Sequence, residues 1–516
     1  MRFDQPRRLL QSMSWLHTWS GLLAGWLLFA VFVTGSLAFF RDEITVWMQP
    51  EVQSARDDGL GLERALAYLR ENAADQAQWM IGLPNPHHPE YRLAWGEGRR
   101  GGGGHGRAPQ TMLDGASGEV IQPRQTAGGM FLADFHYHLY GINPHVAEWI
   151  VGIAAMFMFA AIISGIVAHR NFFKDFFSFR PGKGKRSWLD AHNLCGVLAL
   201  PFHLVITFSG LILLGSQLMP SVSMSAFGGD PRAMMRELHR HRPAGAFGGG
   251  SAEAASLADI NAMLAIAREQ WHGIPAQGIT ISNPGKANAV VEIQASAGAR
   301  LSGRGMPDRI QFEGVSGRRL PDMQRETSLV SDIDLSMQAV HIGVFATGLV
   351  MWLLKRKRAF AEAASLPLRL RLVEVLNVVS ISGLLMALAA YFWGNRLIPV
   401  GIAERNLAEI HVFFIVWGVA LLHAVWRPHV QAWVEQLSVA GVAFLTLPVL
   451  NAISGGLPLW KNLSATAGQA AGFDLVALCA GGCLLYAAWR VLVHVPAGTL
   501  AAPDLVLAMP ETQKGA

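Results

Sequence analysis

Eight apolar runs, each about as long as the 20-residue helix that spans a hydrocarbon core, dominate this sequence. They fall at 16–40, 146–168, 194–218, 335–354, 372–393, 407–426, 434–453 and 473–493. Each reads as a helix, because a lone segment in lipid must satisfy its own backbone hydrogen bonds. Composition agrees: of 516 residues 51% are apolar and only 15% charged, against about a quarter charged in soluble domains. The formal charge of +5 is small and does not point to nucleic acid. Cys195, Cys479 and Cys483 all lie in apolar runs and no Cys-x-x-Cys-His occurs, which excludes covalently attached haem and a disulfide framework.

Lys and Arg in the short connections set the expected orientation. Arg7 and Arg8 precede the first run, Arg170, Lys174, Arg180, Lys183, Lys185 and Arg186 follow the second, and Lys355, Arg356, Lys357 and Arg358 follow the fourth. Both termini are then cytoplasmic, in a bacterial inner membrane, with the first run an uncleaved anchor rather than a signal peptide. The chain divides into a first span (1–40), an exported module (41–145), a second span (146–168), a basic loop (169–190) and a third span (191–218). A second exported module (219–333), a fourth span (334–354), a basic loop (355–371), four further spans (372–493) and a tail (494–516) follow. Each exported module starts with an amphipathic helix, at 60–69 and 257–271, and continues in short alternating strands such as 91–95, 279–282 and 290–293. Both read as small α+β modules. The glycine runs at 101–104 and 248–250 read as loops.

The chain also repeats itself. His17-x3-Gly21 followed by Thr34-Gly35 matches His192-x3-Gly196 followed by Ser209-Gly210, with 18 residues from His to the last Gly in both. The stretch 113–121, LDGASGEVI, parallels 312–320, FEGVSGRRL, a hairpin with Gly where positive φ is required. The repeated unit is helix, exported module, helix. Two units predict a four-helix bundle with a pseudo-two-fold axis along the membrane normal, and bundle interiors are where cofactor ligands commonly project.

Histidine inside a span is a functional hypothesis, as ligand, proton relay or hydrogen-bond donor. On one continuous helix His192 and His203, 11 residues apart, would share a face about 16.5 Å apart in depth, which suits two stacked haems. His17, at the depth of His192, predicts one axial pair; His203 and His341 predict a second, with His136 and His138 competing for that outer site. Taken singly, each histidine is read first as hydrogen-bonding a neighbouring carbonyl or lining a helix interface; four at matched depths shift the reading to ligation. His411 and His423, 12 residues apart, point about 120° from one another and read as structural or proton-related. His169 could ligate or meet a propionate, Trp15 and Trp19 read as an interfacial belt, and His87, His88, His105, His239, His241 and His272 as loop residues. A bis-histidine haem has no open position and conducts electrons, so the reading is two non-covalent b-type haems in an electron path across the bilayer from a quinol or cytoplasmic donor.

The segments Trp15-Leu16-His17-Thr18-Trp19-Ser20-Gly21, Phe135-His136-Tyr137, Asp190-Ala191-His192-Asn193, Leu200-Pro201-Phe202-His203-Leu204 and Val340-His341-Ile342-Gly343, with the Phe-rich stretch 172–183, together resemble the PepSY-associated transmembrane-helix family over residues 1 to about 358. The resemblance implies PepSY domains for the exported modules and carries His17, His136, His192, His203 and His341 over as haem ligands. It further implies an iron-regulated inner-membrane protein, with a ferric siderophore reduced in the periplasm to release iron. Two other readings stay open on the residues: a non-enzymatic anchor for peptide-binding PepSY modules, and a transporter in which Glu409, His411 and Asp474 handle protons or ions. No Gly-rich dinucleotide fingerprint is present.

Overall fold

The computed structural model describes residues 5–85, 88–96, 109–168, 180, 184–218, 253–296, 308–321, 334–360, 366–464 and 469–493. His87, His105, His169, His239 and His241, both glycine runs and the tail lie outside the described residues.

The first repeat contains α1 (Gln5–Ala38), α2 (Arg41–Met48), α3 (Gly61–Asn72), α4 (Gly128–His138) and α5 (Pro144–Ala168). The second contains α6 (Lys185–Leu198), α7 (Leu200–Leu213), α8 (Ile260–Gln270) and α9 (Asp334–Lys357). Beyond them lie α10 (Leu368–Leu397), α11 (Arg405–Trp426), α12 (His429–Ile453) and α13 (Gln469–Val493). Six described helices are long and apolar enough to cross a membrane, and α6 with α7 makes a seventh as one broken span. The expected fourth span is present as helix α9 but falls outside that set. The third span is not the single straight helix that its spacing predicts, since α6 and α7 meet at an angle of 63°. Pro201, in the first turn of α7, has no N–H to give and its ring crowds the carbonyl one turn back, so the helix breaks at Ala199.

Helix α1 packs against α5 and α9, α9 against α6, and α5 against α7, closing the four spans of the two repeats into a bundle. Beside it, α10 touches α1 through a π-helical turn at Val379–Gly383. The Val379 carbonyl accepts the Leu384 N–H within that turn and also accepts from Trp417 Nε1 of α11 at 3.0 Å. Helices α12 and α13 cross closely at Gly441 and Gly481, where an added Cβ would strike the facing main chain; small residues permit such approach in lipid.

Outside the bundle the two modules do not fold side by side as separate units. Their strands form one seven-stranded antiparallel sheet in the order β4-β3-β2-β1-β5-β6-β7. The strands are β1 (Gln78–Gly82), β2 (Tyr91–Gly96), β3 (Gln110–Leu113), β4 (Val120–Ile121), β5 (Ala276–Ser282), β6 (Val290–Ala295) and β7 (Arg309–Glu313). At the joint β1 pairs with β5, Met80 opposite Thr280, so the pseudo-two-fold axis passes through the centre of the sheet. Each module thereby covers the other's open edge. Alternate residues, among them Trp79, Ile81, Ile279 and Ile281, turn to one face and pack with Leu66 and Leu69 of α3 and Met263 of α8 in a single core. The matched hairpins form as the repeat predicts, with Gly118 at φ +75° and Gly317 at φ +70°, and with Gly118 N and Gly317 N donating to Asp114 O and Glu313 O at 2.8 and 2.9 Å.

Candidate functional site

A cavity of about 130 Å³ lies inside the four-helix bundle, lined by His17, His192 and His203 among apolar side chains that include Met158, Ile162 and Phe345. The imidazoles of His17 and His192 face each other with ring centroids 6.1 Å apart and planes at 65°. They come from α1 and α6, the first span of each repeat, so the identical spacing seen in the sequence becomes a symmetric pair in space.

Each ring is held the same way. His17 Nδ1 lies 2.8 Å from the carbonyl of Ala161 on α5, and His192 Nδ1 lies 3.1 Å from the carbonyl of Val344 on α9 and 3.2 Å from Thr347 Oγ1. A carbonyl only accepts, so Nδ1 carries the proton and Nε2 of the neutral ring carries the lone pair. That bond also fixes the ring's orientation and raises its basicity as a ligand. Four residues after each carbonyl stands a glycine that makes room for the ring: a Cβ on Gly165 would sit 3.0 Å from His17 Cε1, and one on Gly348 would sit 3.2 Å from His192 Cε1. Among the described residues no group of three or more His, Cys, Asp or Glu is arranged to hold a metal ion.

The remaining candidates are placed as follows. His203 is 4% exposed and lines the same cavity as the other two; with α6 and α7 bent by 63°, the rise calculated for one straight helix does not apply to the pair. His136, on α4, sits apart from this cavity. Its Nδ1 is 2.7 Å from the Val31 carbonyl on α1, and a Cβ on Gly35, again four residues on, would meet its ring at 2.5 Å. The carbonyl-plus-glycine seat thus occurs three times. His138 turns the other way, its Nε2 3.4 Å from Glu148 Oε1 on α5. His341 lies in α9, and its side chain is outside the described residues.

In α11, His411 is exposed while His423 Nε2 meets Glu435 at 2.6 Å, so they share no face. Glu409 and Asp474 are engaged as well: Glu409 with Arg405, Asn395 and Thr126, and Asp474 Oδ1 as acceptor from Trp47 Nε1 at 2.8 Å. Trp19 and Trp352 stack on Arg356, whose guanidinium lies 5.8 and 4.0 Å from their rings. Sequence reasoning did not identify the acceptors Ala161, Val344 and Val31 or the hydroxyl of Thr347. The usable signal was a glycine four residues beyond each acceptor.

The family model of the PepSY-associated TM region matches residues 14–355, taking in both repeats, both modules and the three histidine seats. No curated protein matches the chain. The chain belongs to the PepSY-associated TM family, as a membrane protein whose four C-terminal helices lie beyond the matched region.

Proposed function

We propose that this protein is a bacterial inner-membrane electron carrier with two b-type haems, reducing a ferric siderophore or another periplasmic Fe(III) complex with electrons from a quinol or a cytoplasmic reductant. The observation that carries the reading is the His17–His192 pair. With their ring centroids 6.1 Å apart and each Nδ1 held by a carbonyl, these two residues would hold one haem iron between them. The apolar side chains around the two imidazoles would suit the faces of a macrocycle. His136 and His203, with His341, are the candidate ligands for the second haem, His136 being seated on α1 as His17 is seated on α5.

A bis-histidine haem supplies reversible one-electron transfer with no open coordination position. The chain's own residues do the rest. Ala161 and Val344 hold the two ring protons on Nδ1, and Met158, Ile162 and Phe345 give the cavity apolar walls. Reduction releases iron because Fe(II) binds hard oxygen chelators more weakly than Fe(III) does.

A dithionite-reduced minus air-oxidised spectrum of the purified full-length protein, with a pyridine haemochrome count, tests this. Two haems per chain are expected, reoxidised on adding a ferric siderophore. His17→Ala or His192→Ala should leave one haem per chain. Absence of haem from protein made with ample haem supply would refute the reading, and loss of both haems or of neither in these variants would refute the pairing.

A further inference from the structure

Helices α10–α13 lie outside the matched family region, and one group of their polar contacts with it falls at residues 124–128, the approach to α4. The α4 N-cap, Ala127, has no side chain able to cap the helix. Glu409, from α11, shares that role with Thr45: its Oε2 accepts from Ala127 N at 3.1 Å and from Thr126 Oγ1 at 2.7 Å, while Thr45 Oγ1 accepts from Gly129 N at 3.0 Å. The Thr126 hydroxyl in turn accepts from Gly128 N at 3.0 Å. Glu409 is fully buried, and its other oxygen accepts from Asn395 Nδ2 at 2.7 Å and from Arg405. Arg405 also donates to Gln125 O at 2.8 Å, and Tyr391 Oη donates to Gly128 O at 2.8 Å. A carboxylate is favoured at a helix N-terminus both as a hydrogen-bond acceptor and through the helix dipole. Here the neighbouring Arg405 compensates the burial of its charge.

The same two helices restrain α4 along its length. Phe131 meets Tyr391 and Phe413 at centroid distances of 5.1 and 5.3 Å, and Phe135 meets Trp417 at 6.2 Å. The cap sets the axial position of α4 and the rings set its roll. One residue beyond Phe135 is His136, whose ring sits 2.7 Å from the Val31 carbonyl and against Gly35 on α1. We propose that α10 and α11 form the seat of α4, with Glu409 the positioning residue that places His136 against α1. The consequence for a haem rests on the reading of His136 as a ligand; the seating of α4 does not.

The test uses the full-length protein in detergent, with Glu409→Gln and the milder Thr126→Val, read by hydrogen–deuterium exchange and by low-spin haem EPR. Amides of the first turn of α4 should exchange about fivefold faster or more, the scale of losing a helix cap, while those of α12 and α13 stay protected. The EPR signal removed by His136→Ala should shift, and the signal removed by His17→Ala should stay. Unchanged exchange in α4, or equal disturbance of both haem signals, would overturn the proposal. Faster exchange in α4 with no signal that depends on His136 would uphold the seat and reject His136 as a ligand. If Glu409→Gln does not fold, Thr126→Val decides the matter alone.

Discussion

Three glycines decide where three imidazoles can stand. Gly165, Gly348 and Gly35 each follow by four residues the carbonyl that a ring accepts as its partner, and each leaves open the space a Cβ would fill. In Gly165→Ala and Gly348→Ala the new methyl lies 3.0 and 3.2 Å from ring atoms, so the ring must shift; overpacking of this kind costs about 1–3 kcal/mol. On the proposed haem ligation by His17 and His192, the expected result is a changed EPR signal, with the larger change in Gly165→Ala. Identical signals in both variants would show that the glycines do not seat the rings. His17 and His192 were legible in the sequence because the repeat places them at one register. Their acceptors were not, since a main-chain carbonyl carries no residue signature and the facing register of two helices is set by packing.

Elements show where periodicity succeeds and where it stops. The helices at the starts of the modules and the strands at 91–96, 276–282 and 290–295 were legible from alternation and amphipathicity, to within a few residues at their ends. The pairing of β1 with β5 was not, because an edge strand has the same alternating pattern whether it meets solvent or a partner. Ile281, fully buried at that joint, gives the test: Ile281→Ala should cost about 2–5 kcal/mol, read as a lower midpoint in denaturant melts of the sheet followed by tryptophan emission. A change below about 1 kcal/mol would argue that the two modules do not share a core. In the third span Pro201 marks a break in the sequence, but the 63° between α6 and α7 comes from what each half packs against: α6 against α9, and α7 against α5.

At the scale of the whole molecule, one amide joins three helices. Asn377 Oδ1 accepts from Trp26 Nε1 of α1 at 2.8 Å, and its Nδ2 donates to Leu349 O of α9 at 3.2 Å, tying the C-terminal helices to both halves of the bundle. Asn377→Ala leaves the indole N–H without its acceptor, at a cost of about 1–3 kcal/mol, and should lower the thermal midpoint in detergent; an unchanged midpoint would show that this tie is dispensable. By itself the sequence determined that the protein lives in lipid, that its first part is a duplicated helix–module–helix unit, and that His17 and His192 are equivalent. Apolar length, spacing and repetition are one-dimensional properties, and these conclusions need nothing else. Tertiary structure alone decided that the two modules share one sheet and that Glu409 reaches the N-terminus of a helix 282 residues away in the chain. Each depends on which surfaces meet, and that is set by the packing of the whole chain rather than by any local pattern.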